Sequence, residues 1–196
     1  MNIGVNCTIG EQSRLLESIL RNNDRVYSVV ASLEQFNLPN AYVAAGCISQ
    51  TVWNFQDKRP LCNGISDIDV IYYDKDDLTH EAELEIKHKL NNYFTSIGYK
   101  IDITNEARTH LWYERKFGTA IPPYSSSEDA INSWIPATAI GVKYCNDKFC
   151  IYAPFGMNDL FGQVVRPNKS LATKEHFEYK STKWKSIWNN IRIINW

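Results

Sequence analysis

The sequence predicts an α/β (α+β) fold, a mixed sheet flanked by helices with a C-terminal hairpin and a helical tail. Three observations carry this prediction. Apolar residues recur at helical spacing over 11–36 and again over 78–97, a strand-like apolar run fills 66–73 between them, and a short alternating strand at 99–104 follows the second helix directly. Helices alternating with strands in this order place several strands in one sheet with helices packed on it.

Taken in order, Leu15, Leu16, Ile19, Leu20, Val26, Val29, Val30 and Leu33 mark one broken helix or two short ones, the break falling at Asn22-Asn23-Asp24. Pro39 ends that region, and Ala41-Tyr42-Val43-Ala44-Ala45 leads to Gly46, where a helix over 48–56 begins. A linker through Pro60 reaches the strand at 66–73. The acidic Asp74-Lys75-Asp76-Asp77 reads as a solvated loop and helix start, because carboxylates favour a first helical turn. Leu84, Ile86, Leu90 and Phe94 give the next helix, closed by Gly98. Beyond the strand at 99–104 come helices near 106–115 and 128–134, a turn at Pro122-Pro123, a hairpin over 139–152 and a break at Pro154-Phe155-Gly156. Residues 1–196 read as a single domain, with a catalytic core over 38–104 and additional helices, hairpin and C-terminal helix over 105–196.

Composition narrows the function. With 44% hydrophobic and 22% charged residues, 6 Trp and 11 Tyr, the chain is globular and rich in aromatics. A net charge of -1 gives no global positive field, so there is no strong nucleic-acid signature. The N-terminus has no leader pattern, and no apolar run approaches the roughly 20 residues of a membrane helix, so no membrane partner and a cytoplasmic location are expected. Cys7, Cys47, Cys62, Cys145 and Cys150 form an odd set without Cys-x-x-Cys spacing, which argues against a disulfide framework or a zinc knuckle.

The chemistry concentrates in Ser66-Asp67-Ile68-Asp69-Val70-Ile71-Tyr72-Tyr73. Side chains alternate along a strand, so Asp67 and Asp69 point the same way. Two adjacent carboxylates repel each other unless a cation lies between them or one is protonated. Hard oxygen donors in this arrangement favour Mg²⁺, with phosphates completing its shell. If the strand carrying Asp102 lies alongside, three carboxylates converge, a set suited to two Mg²⁺ ions about 3.5–4 Å apart acting on a triphosphate. The turn at Gly46 would offer backbone N–H groups at a helix N-terminus.

With these pieces in place, the chain resembles the nucleotidyltransferase superfamily of polymerase-β-like fold, in which a small glycine motif opens a helix, an Asp-hydrophobic-Asp strand follows, and a third acid comes on a later strand. More closely it is similar to a bacterial family of predicted nucleotidyltransferases. The resemblance rests on "AYVAAGCISQTVWN", "SDIDVIYYD", "NEARTHLWY", "PYSSSEDAINSW", "ATAIGVKY" and "APFGMNDLFGQVVRPN", which span most of the chain from Pro39 to Asn168. It implies that Asp67 and Asp69 bind metal and that Asp102 is the third carboxylate and candidate general base. It further implies nucleotide contacts from Gly46, with help from Ser49, and from the neighbouring Cys47 and Ser66. The superfamily usually has Gly or Ser after the glycine, where this chain has Cys47.

Other residues admit two readings. Arg108 follows the Asp102 strand and either reaches back to a phosphate through bidentate hydrogen bonds or forms a structural salt bridge. His110 is a candidate proton-transfer group. Asp159 and Arg166 read as positioning each other. The stretch 174–196 mixes Lys180, Lys183, Lys185 and Arg192 with Phe177, Tyr179, Trp184, Trp188 and Trp196. It reads as an amphipathic closing helix rather than a single-strand binding surface. The expected function is therefore Mg²⁺-dependent transfer of a nucleoside monophosphate from an NTP to an acceptor hydroxyl, the acceptor being a small molecule, an RNA end or a protein. The alternatives are a catalytically silent nucleotide-binding or protein-interaction module and, behind it, a metal-dependent phosphohydrolase.

Overall fold

The computed structural model describes residues 2–196. Its centre is a five-stranded mixed sheet of β1 (Tyr42–Ala44), β2 (Asp67–Tyr72), β3 (Lys100–Asn105), β4 (Gly141–Cys145) and β5 (Lys148–Tyr152), in the order β3-β2-β1-β4-β5. Strands β2 and β3 are parallel, as a strand–helix–strand crossover requires, and the other pairings are antiparallel.

Alternation along the strands divides the sheet into two faces. Val43, Ile68, Val70, Tyr72, Ile101, Ile103 and Val142 point into the main core. That core is closed by α1 (Ile9–Arg21), α2 (Asp24–Ser32), α3 (Gly46–Gln56) and α4 (His80–Tyr93) through Leu16, Ile19, Leu20, Val26, Val30, Ile48, Val52 and Leu90. Helix α1 begins with a capping box in which Thr8 and Glu11 satisfy each other's backbone N–H groups. The opposite face carries Asp67, Asp69 and Asp102 near its β3 edge and a small cluster of Tyr42, Ala44, Ile71, Ile131 and Ala139 at its centre.

Around this face lie α5 (His110–Phe117), α6 (Ser127–Asn132) and α8 (Lys174–Ile187), whereas α7 (Asn158–Gly162) adds Leu160 and Phe161 to the main core. The closing helix α8 packs as its sequence pattern indicates. Trp184 and Trp188 meet Trp53 edge-on with ring centres 5.5 and 5.4 Å away, and the Trp188 indole N–H donates to Asn54 Oδ1 at 2.7 Å. The helix expected over 106–115 divides into a 3₁₀ turn, Glu106–Arg108, and α5, which ends at Gly118 in the left-handed region, φ +77°. Two elements carry no sequence expectation, α7 and the two-residue strand β6 (Val164–Val165); its parallel partner β7 (Arg192–Ile193) lies in the stretch 174–196 read as a closing helix, which ends at Ile187. Both α7 and β6 are too short for a periodic pattern to form.

Candidate active site

The register sets the site. Asp69 pairs with Asp102 on β3 and with Ala44 on β1, and Ala44 pairs in turn with Gly141. One row across the sheet thus runs from two small residues to two carboxylates, with Asp67 two residues back along the same face. Ser66 Oγ donates to Asp67 Oδ1 at 2.8 Å.

The row meets the start of α3. Directly after β1, Ala45 takes φ +59°, ψ -128°, and the chain turns into the helix at Gly46, whose backbone N–H pulls the Asp69 carboxyl downward. The strained position is therefore Ala45, one residue before the glycine. Gly46 itself is helical, and its lack of a side chain serves close approach, since a Cβ there would lie 2.9 Å from Gln50 Nε2 and 3.9 Å from Asp69 Oδ2.

The charges are unbalanced at Asp69. Burial, followed by repulsion from Asp67 and Asp102, pushes its carboxyl up to about 7, against the opposing pull of Lys180 and the Gly46 N–H. Asp102 differs although it is half-buried. Burial raises it, but Lys87 Nζ at 2.7 Å and Lys100 Nζ at 3.7 Å, with Lys116 further out, carry it below the ordinary carboxylate range. Lys87 is positioned by α4, where Asn91 one turn later clamps the edge strand by donating to Ile101 O and accepting from Ile101 N, both at 2.9 Å. The carboxylate that the resemblance offers as general base is thus already paired with a lysine.

Three other expected nucleotide contacts fall elsewhere. Arg108 is turned away from the carboxylates, donating to Glu83 Oε1 at 2.6 Å and to Leu78 O at 3.2 Å, which corrects the expectation of a phosphate-directed guanidinium in favour of the salt bridge. Cys47 is a buried helix residue whose thiol donates to Ala44 O at 3.3 Å and is pushed far up by burial, so its side chain faces the core rather than a ligand. Ser49 is likewise buried and donates to Ala45 O at 3.0 Å, leaving the backbone of the α3 N-terminus as the donor group. His110 Nδ1 is buried without a hydrogen-bond partner, and Asp159 pairs with Arg166 in two contacts.

Two lysines complete the surroundings. Lys180 on α8 lies within electrostatic reach of Asp69, and Lys116 on α5 within reach of Asp102. Although Lys180 keeps exposed surface, crowding around its ammonium lowers it from the usual lysine range, with Lys116 and Lys183 adding repulsion and Asp69 opposing. On α8 Lys180 is exposed and flanks the buried stripe Phe177-Ser181-Trp184. Lys116 had no sequence signal. Among the described residues, no three His, Cys, Asp or Glu side chains are gathered closely enough to hold a metal ion by themselves. Among them, too, no helix is long and apolar enough to cross a membrane.

The chain belongs to a nucleotidyltransferase family, whose sequence model matches residues 31–193. One similar solved structure, determined by NMR and described as revealing a CCA-adding enzyme head domain, aligns with a TM-score of 0.72 at 23% identity, over 92% of this chain and 96% of that one, and shows the shared fold. No curated protein matches the chain.

Proposed function

We propose that this nucleotidyltransferase family member transfers a nucleoside monophosphate from an NTP to an acceptor hydroxyl, with Mg²⁺ held by Asp67 and Asp69. The observation that carries the reading is the pair of carboxylates on one face of β2, with Asp69 meeting the N–H of Gly46 at the start of α3. The pair fits a hard divalent cation. Its donors are carboxylate oxygens, their mutual repulsion is relieved by positive charge, and Mg²⁺ commonly takes only one or two protein carboxylates while water and phosphate fill its shell. When bound, the cation would neutralise phosphate charge and orient the triphosphate.

The chain's own groups do the rest. The α3 N-terminus offers its N–H groups and dipole to phosphate oxygens. Lys116 and Lys180 supply further positive charge within electrostatic reach of Asp102 and Asp69. The acceptor oxygen bonds to the α-phosphorus, the bond to the β-phosphate oxygen breaks, and pyrophosphate leaves. The acceptor proton passes to solvent.

Calorimetric titration of the four NTPs with and without Mg²⁺, on the wild type and on Asp67→Asn/Asp69→Asn, tests the reading. Mg²⁺-dependent binding lost in the double variant supports it, and no binding of any NTP overturns it. A nucleotide-binding module without turnover is the second reading, favoured by the Lys87–Asp102 contact, which occupies the third carboxylate. Release of pyrophosphate from a bound NTP separates the two.

A further inference from the structure

Between α5 and the start of α8 lies a cavity of about 210 Å³ whose walls include Tyr113, Lys116, Phe117, Thr119, Thr173 and His176. We infer that this cavity seats the aromatic base of the nucleotide whose phosphates meet Asp67, Asp69 and the start of α3. The inference rests on the nucleotidyl-transfer reading.

Size limits the occupant. Whole small-molecule ligands usually fill about 300–1,000 Å³, so this cavity accepts one ring system with the remainder of the molecule outside. The walls suit a flat ring. Tyr113 and Phe117 lie one helical turn apart with ring centres 4.6 Å from each other, and His176 meets Phe117 edge-on at 5.4 Å. Polar groups suited to a heterocycle's edge come from Thr119, Thr173 and His176. His176 is held below the usual histidine range by burial and by Lys180 and Lys116, so near neutral pH it presents one donor and one acceptor.

Charge gives the direction. Lys116 lines the cavity and reaches Asp102 electrostatically; Lys180, one turn after His176, reaches Asp69. A ligand spanning these lysines must be anionic between its ring and the carboxylates, and a base joined to a triphosphate has that order of groups. An uncharged aromatic acceptor has no use for the two lysines.

The test compares binding of Mg²⁺-NTP and Mg²⁺-tripolyphosphate to the wild type, to Phe117→Ala, which removes a wall, and to Ala172→Trp, which fills the cavity from its rim. Folding of each is checked by circular dichroism. Loss of about tenfold or more in NTP affinity in both variants, with tripolyphosphate affinity unchanged, is the expected result, since an aromatic stacking contact carries that much. An unchanged ratio of NTP to tripolyphosphate affinity in both variants overturns the cavity assignment and leaves the phosphate site standing. Failure of the wild type to bind either compound overturns the nucleotidyl-transfer reading and this inference with it.

Discussion

Lys87 Nζ lies 2.7 Å from Asp102 Oδ1, so the carboxylate that the register places beside Asp69 already has a cation of its own. The two aspartates share a row of the sheet and differ in what faces them: Asp69 meets carboxylates and a backbone N–H, Asp102 meets lysines. Positioning by sheet register and positioning by charge thus pull apart. Only the first is visible in the pattern of strands.

Removing that lysine tests its hold. In Lys87→Gln the Asp102 carboxyl moves up toward the ordinary range, incompletely because Lys100 and Lys116 remain. A folded-state value below the unfolded one contributes stability above the unfolded pKa that is lost as the pH falls through the folded value, so the variant loses less of its stability on acidification than the wild type. At neutral pH the stability cost stays within about 1 kcal/mol, as both partners are partly exposed. NMR titration of the Asp102 carboxyl carbon reads the effect, and an unmoved midpoint rejects Lys87 as its cause.

Arg108 carries a structural role of larger size. Its guanidinium and the Glu83 carboxylate are only 10% and 12% exposed, and the same Glu83 accepts from the Asn105 N–H at 2.8 Å through its other oxygen. Arg108→Gln leaves that carboxylate without its cation and is expected to cost about 3 kcal/mol in urea unfolding. NTP affinity of the folded fraction stays unchanged. A specific loss of NTP affinity without loss of stability would restore the phosphate role.

Strain at the turn into α3 is open to relief. Ala45 at φ +59° adopts a conformation that L residues reach at a cost of about 1–3 kcal/mol, partly offset by the greater freedom glycine has in the unfolded chain. Ala45→Gly is therefore expected to stabilise the protein by about 1 kcal/mol, seen as a higher urea midpoint with an unchanged slope. A lower midpoint would mean that the turn is not strained.

What was legible in the sequence follows from these particulars. Asp67 and Asp69 were readable because a strand's period of two is local, and α3 was readable from Pro39 and Gly46. The pairing of Asp69 with Asp102 needed only the assumption of adjacent parallel strands. The partners of Arg108 and Asp102 were not readable, because Glu83 and Lys87 come from α4 and depend on which face of that helix meets β3. Ala45 was missed for another reason: glycine marks a positive φ in sequence, and here the positive φ falls on the residue before it. Lys116 and its cavity depend on how α5 packs near α8 across a separation of some sixty residues, which no local spacing encodes.

The last prediction concerns a buried acid next to the site. Glu106 is 5% exposed, and burial, with smaller contributions from Glu83 and Asp69, raises its carboxyl to about 7 against the pull of the Thr109 hydroxyl, which donates to it at 2.8 Å. A carboxyl that holds its proton more tightly when folded favours the fold at pH values below its unfolded pKa of 4.5. This contribution declines as the pH rises and is gone above about 7. Glu106→Gln keeps the shape and the hydrogen-bonding oxygen while removing the titration. Its stability should therefore fall less than that of the wild type between pH 5 and pH 8, and the gap at pH 8 should favour the variant by on the order of 2–3 kcal/mol. Asp69 titrates in the same window, so the difference between the two unfolding curves reports Glu106 together with its small coupling to Asp69. Parallel curves for variant and wild type across that range would show that Glu106 is already ionised in the folded protein at pH 5.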